Sequence, residues 1–190
     1  LRLVLDDGSG FDLTEAGTQR RLAVWVTTDP QQIEMVSSLG VDPLDESFTR
    51  AAFDKILDGA GRSQLKGMLR DQRVIAGIGN AYSDEILYAA KMSPFTPASK
   101  LDEANRQLLY EQIGAVLSDA LKRSYGLPPD KLKDDKRLGL RVHGRAGEPC
   151  AVCGSTIAQV SFADSSLQYC PGCQTGGKLL ADRRMSKLLR

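Results

Sequence analysis

Leu1, Leu3 and Leu5 alternate with Arg2 and Val4 and run into Asp6-Asp7-Gly8. Period-two alternation followed by turn residues predicts a strand entering a turn, and the β-rich run RLAVWVT at 21–27 predicts a second strand. Two short strands cannot bury a sheet face unaided, so the start of the chain reads as the remnant of a larger β domain, residues 1–44. From Asp45 the period changes. Phe48, Ala51, Ala52, Ile56 and Leu57 recur at helical spacing, with Asp45, Glu46 and Ser47 as caps and Asp58-Gly59 as a stop. A second helix is expected over 63–70. After Val74-Ile75-Ala76 come Gly77-Ile78-Gly79-Asn80, where the glycines permit a tight turn and Asn80 can cap a helix over 81–90. Pro94 and Pro97 break the chain, and 101–125 reads as a long amphipathic helix ended by Gly126, Pro128 and Pro129. The lysine-rich stretch 127–138 reads as a loop and 139–143 as an extended approach to the cysteines. The expected class is α+β: a β-sheet remnant (1–44), a helical domain (45–138), a β-hairpin zinc ribbon (139–176) and a basic tail (177–190).

Composition changes this picture little. A 190-residue chain with 42% apolar residues can build a packed core. No run reaches the ~20 apolar residues of a membrane span, and the start does not resemble a signal peptide, so a cytoplasmic protein without membrane contact is expected. The net charge of +1 argues against a nucleic-acid partner until its distribution is considered. Lys131, Lys133, Lys136, Arg137, Arg141 and Arg145 crowd the approach to the cysteines, and Lys178, Arg183, Arg184, Lys187 and Arg190 fill the tail. Acids concentrate between Asp42 and Asp58. Screening limits such patches to about 8 Å in physiological salt, so a local basic cluster can hold phosphates whatever the global balance.

Cys150-x₂-Cys153 and Cys170-x₂-Cys173, sixteen residues apart, fit the paired knuckles of a four-thiolate site for one structural zinc ion. Four thiolates saturate a tetrahedral ion and leave no position for water, so the metal holds structure and performs no chemistry. Two disulfides are the alternative, poorly suited to a chain that otherwise reads as cytosolic. Strands are expected at 157–161 and 166–169. His143 reads as a surface or packing residue.

Three stretches carry a resemblance. L-K-G-M-L-R-D-Q-R-V-I-A-G-I-G-N-A-Y-S-D-E, from Leu65 to Glu85, is similar to the helix–two-turns–helix motif of the Fpg/Nei DNA glycosylases. H-G-R-A-G-E-P-C-A-V-C-G with Y-C-P-G-C-Q resembles the zinc finger of that family, and Leu39-Gly40-Val41-Asp42-Pro43-Leu44 the segment joining its domains. The resemblance implies a base-excision-repair DNA glycosylase/AP lyase acting on oxidised bases, a monomer on damaged double-stranded DNA in the bacterial nucleoid. It implies that Lys66 and Asn80 hold a DNA phosphate, which suits a cation and an amide donor at a helix N-terminus. Thr18 to Trp25 resembles the loop that fills the emptied base stack, with Arg20 reaching the abandoned partner and Leu22 in the place of the family's aromatic wedge.

Two departures limit what the resemblance implies. The family's catalytic Pro-Glu pair has no counterpart, so no catalytic residue is assigned and this chain is expected to carry the damaged-DNA-binding part alone. The alternative is a non-catalytic DNA-binding or regulatory protein derived from the same scaffold. In the finger hairpin, Ser165 stands where the family has an arginine. The tail could add phosphate contacts or dock a protein partner.

Overall fold

In a computed structural model, residues 1–15, 22–162 and 165–181 are described. The chain divides into two compact units, Leu1–Ser37 and a second that begins at Ser38.

In the first unit, β1 (Arg2–Val4) pairs antiparallel with β2 (Gly10–Asp12), placing Leu3 opposite Phe11. The Asp7 carboxylate accepts from the Ser9 backbone and hydroxyl, at 2.9 and 2.6 Å, and closes the turn. Arg2 and Asp12 pair across the strands at 2.7 Å. The second strand is therefore not the run at 21–27. Leu22 to Thr27 form no strand, because the turn chemistry of Asp6-Asp7-Gly8 selects the segment immediately after it as partner. A short helix α1 (Glu34–Ser37) closes the unit.

The second unit is helical until the cysteines. Gly40 approaches the backbone of residues 72–76 so closely that a Cβ would strike the Val74 carbonyl. Gly40 N donates to Gln72 O and Ala76 N to Val41 O, at 2.8 and 3.0 Å. Thr49, not the acids before it, caps α2 (Arg50–Ala60) by accepting from Ala52 N at 3.2 Å. The helix passes through Gly59, whose local penalty is offset by burial of Phe53 and Leu57. α3 (Leu65–Arg70) and α4 (Asn80–Ala89) follow, then α5 (Glu103–Ser124), capped by Asp102 at Asn105 N. Leu57, Leu65, Leu69, Ile75, Ile86, Leu109 and Ile113 meet in one core, against which Phe48 stacks on Tyr110.

The stretch read as a loop contains a helix, α6 (Pro129–Gly139). Only Leu132 and Leu138 break its charged and polar run, and it buries no residue, so it has too few apolar positions to mark a helix in the sequence. Proline at its start suits a first turn. α5 holds it through Arg123, whose guanidinium donates to the Asp135 carbonyl at 3.5 Å. Lys136 lies over the Tyr82 ring at 5.2 Å. Beyond it, β3 (Ala158–Ser161) and β4 (Ser166–Tyr169) form the expected hairpin, paired from Ala158–Tyr169 to Ser161–Ser166. α7 (Pro171–Gln174) carries the last cysteine. The Tyr169 hydroxyl accepts from Leu180 N at 2.7 Å, which ties the start of the tail to the finger.

Candidate nucleic-acid interface and metal centre

The two turns between α3 and α4 are organised by Gln72. Its amide oxygen accepts from Gly77 N at 2.8 Å, and its amide nitrogen donates to Ile78 O at 2.9 Å. This brings Lys66 of α3 against the first turn of α4. Lys66 is 5% exposed, and its ammonium donates to Asn80 O, Ser83 Oγ and Asp84 Oδ1 at 3.1, 2.8 and 2.6 Å. An ammonium has three protons, and all three are engaged. Burial pulls this lysine below its ordinary pKa, against the attraction of Asp84.

Asn80 is not the cap of α4. The extended Gly79 is the flanking residue and Asn80 the first helical one, with its amide nitrogen donating to Ser166 O on β4 at 2.7 Å. Its amide oxygen is buried without a partner. Lys66 and Asn80 are thus brought together through the Asn80 backbone carbonyl, and the Lys66 ammonium, expected to hold a phosphate, is turned to acceptors inside the protein.

Sequence reasoning missed the residues that join this motif to the finger. Asp84, buried beside Lys66, also faces His143 Nδ1 at 2.8 Å and accepts Gln168 N at 3.2 Å. Glu85 accepts from the backbone N–H groups of Arg141, Val142 and His143 at 2.8, 2.9 and 2.8 Å. Both acids stand in the quoted motif, yet their partners lie 56 to 84 residues away. His143 packs on Asp84, with 24% of its side chain exposed. Contact of Nδ1 with a carboxylate places the ring proton there and leaves Nε2 free of that bond.

The four cysteine sulfurs lie within 4.8 Å of one another. Cys150 and Cys173 are 3.9 Å apart and Cys153 and Cys170 3.3 Å. Tetrahedral bonds of about 2.3 Å put sulfurs ~3.8 Å apart, so the cage fits one zinc ion, and the soft donor set suits it. All four thiols are free, which sets aside the disulfide alternative. In the first knuckle Cys150 N donates to Ser155 O and Gly154 N to Cys150 O, both at 2.9 Å. In the second, Cys173 N donates to Cys170 Sγ at 3.4 Å, and a Cβ on Gly172 would lie 2.8 Å from Cys153 Sγ. Burial opposes ionisation of Cys150, but hydrogen bonds from Tyr88 and the backbone of Cys153 and Val152 outweigh it and lower the thiol to about 6. Burial raises Cys170 and Cys173.

Of the remaining expected residues, Arg20 and the tail beyond Ala181 lie outside the described residues. Leu22 is exposed, in the first unit. Ser165 closes the finger hairpin by accepting Phe162 N at 2.8 Å. A cavity of about 730 Å³ between α4, α5 and α6, lined by Tyr82, Val116, Arg123 and Leu138, contains neither Lys66 nor Asn80.

Comparison with known proteins gives two family matches, the "Formamidopyrimidine-DNA glycosylase H2TH domain" over residues 39–127 and the "Zinc finger found in FPG and IleRS" over 147–176. An uncharacterised formamidopyrimidine-DNA glycosylase-like protein of Mycobacterium tuberculosis is 57% identical over 153 residues, which are 80% of this chain and 95% of that protein. The formamidopyrimidine-DNA glycosylase of Thermus thermophilus is 36% identical over 157 residues, 78% of this chain and 58% of the enzyme. The crystal structure of MutM (Fpg) from that organism superposes with a TM-score of 0.68 at 32% identity, covering 80% of this chain and 59% of that one. A MutM structure in complex with DNA containing carbocyclic 8-oxo-G gives 0.66 at 30% identity, covering 77% and 55%. The chain thus spans little more than half of the Thermus thermophilus enzyme and of the two MutM structures.

Proposed function

Because the chain belongs to the formamidopyrimidine-DNA glycosylase family, we propose that it carries the damaged-DNA-binding part of a base-excision-repair glycosylase/AP lyase acting on oxidised bases. One juxtaposition supports this reading: the N-terminus of α4, bearing Asn80, is locked to a four-cysteine finger through Asp84 and Glu85. A DNA phosphate sits at that N-terminus, where the first N–H groups of the helix and the Asn80 amide favour an anion. Lys66 acts from behind. By pairing with Asp84 it cancels a negative charge one turn from the phosphate, which would otherwise repel it. Family catalysis needs the Pro-Glu pair, and none of the residues here takes its place, so binding and not bond cleavage is assigned to them. On this reading the protein works as a cytoplasmic monomer. No helix among the described residues is long and apolar enough to cross a membrane.

The test is borohydride treatment with a duplex carrying an abasic site, run beside a binding titration with a stable abasic analogue. The expected result is salt-sensitive binding without a covalent adduct; an adduct would overturn the assignment of binding alone. A second reading, a DNA-binding protein that does not cut, is favoured by the M. tuberculosis relative, 95% of which is the region shared with this chain. The reading frame preceding Leu1 separates the two: a start coding Met-Pro-Glu supports the enzyme.

A further inference from the structure

α4 meets the approach to the finger and the finger itself at successive levels. Asn80 reaches Ser166, Asp84 reaches His143 and Gln168, and Glu85 takes three backbone N–H groups before the first knuckle. One turn further, the Tyr88 hydroxyl lies 3.2 Å from Cys150 Sγ. We infer that Tyr88 is a positioning residue for the metal centre, donating its hydroxyl proton to the Cys150 thiolate and thereby coupling zinc occupancy to the phosphate-holding end of α4.

The physical case begins with Cys150, which is 3% exposed and so has little access to water. Four thiolates on a divalent ion leave a net charge of −2, and a buried sulfur bearing part of it needs hydrogen-bond donors. Tyr88 is itself buried, with its hydroxyl within hydrogen-bond distance of Cys150 Sγ. It packs with Val142, Cys150, Ile157 and Cys170 in a small core distinct from that of the helices. A buried hydroxyl is satisfied best by a charged acceptor, and metal binding is what makes the cysteine one permanently. Tyr88 and Asn80 stand on one helix, about 12 Å apart at the helical rise. Whatever zinc contributes to fixing this helix against the finger, a phosphate bound across both returns to zinc by linkage.

The DNA half of this inference rests on the proposed function; the zinc half does not. The experiment uses the whole zinc-loaded chain, as wild type, Tyr88→Phe and the matched hydroxyl deletion Tyr82→Phe. Competition with a chromogenic chelator should show zinc held roughly tenfold more weakly by Tyr88→Phe, the size expected for a lost outer-shell bond, and unchanged by Tyr82→Phe. In cobalt-substituted protein, the thiolate-to-cobalt charge-transfer band should move in Tyr88→Phe alone. Zinc affinity within twofold of wild type with an unmoved band overturns the role of Tyr88. For the coupling, an abasic-analogue duplex should slow zinc transfer from wild-type protein to the chelator. Tyr88→Phe should lose DNA affinity at limiting zinc and regain it at saturation. Duplex binding without any effect on zinc transfer overturns the coupling, and does so from wild-type protein even if the variant fails to fold. Absence of duplex binding by the wild type overturns the proposed function and the coupling together, and leaves the chelator and cobalt results to decide Tyr88.

Discussion

The Lys66 ammonium donates to three acceptors at once, and Asp84 accepts from Lys66 while facing His143, with Lys66 and Asp84 almost wholly withdrawn from water. A buried pair of this kind adds little net stability but is expensive to break from one side. Lys66→Met should therefore destabilise the folded chain by about 3–5 kcal/mol in urea unfolding, because Asp84 is left without its main cation. The double variant Lys66→Met/Asp84→Leu should recover much of that loss; strictly additive losses would show that the two do not form a unit. At the cysteines, hydrogen bonds pull Cys150 down while burial pushes Cys170 and Cys173 up, so metal binding must displace protons from the raised pair. Zinc affinity should accordingly rise with pH through the neutral range, since deprotonation of the raised thiols then helps binding. Chelator competition at several pH values checks this, and a flat profile would contradict it. The cysteine spacing made the metal ligands legible in the sequence, and resemblance picked out Lys66 and Asn80. Nothing local marked Asp84, His143 or Tyr88, because the partners that give them meaning lie 59 and 62 residues distant.

Among the elements, α4 does the joining. Glu85 on its inner face takes three backbone N–H groups, of which that of Val142 is buried and would otherwise lack an acceptor. Glu85→Ala should cost about 3 kcal/mol, given that each orphaned buried donor carries ~1–3 kcal/mol. Hydrogen exchange should localise the loss to residues 140–157, with the helical core still protected. α6 is held more lightly, by one arginine and a cation over Tyr82. Arg123→Ala should speed amide exchange in α6 and leave α5 protected; equal loss in both helices would mean that α6 is not anchored as described. The helices that line the core were legible because burial imposes a period on their sequences. α6 buries no residue. β1 was legible from the alternation of Leu1 to Leu5, but β2 is too short and too exposed to display a period against the stronger β run at 21–27.

At the scale of the molecule, the described residues of the second unit hold one large helical core around Phe53, Ile86 and Leu109 and two small ones, one with Cys150 and Cys170 and one with Val160 and Tyr169. The second kind is too small to stand without metal. Chelation should melt the finger while most of the helical circular dichroism remains, and loss of the whole signal would mean that the cores are one. The α+β class and the order of helices before finger were legible from the sequence, since spacing and periodicity are local. The way the two fit together was not, since it depends on Asp84 and Glu85 reaching across the fold.

On the proposed function, α4 presents a phosphate site to damaged duplex DNA. The most direct measurement is the equilibrium affinity of the zinc-loaded chain for a duplex with a stable abasic analogue and for its intact counterpart, over a range of salt, in wild type and Asn80→Ala. Tighter binding to the abasic duplex, weakening as salt rises and falling roughly tenfold in Asn80→Ala, is the expected result, the size of one lost charge-assisted phosphate bond. Equal affinity for both duplexes, or an Asn80→Ala variant that binds as well as wild type, would contradict it.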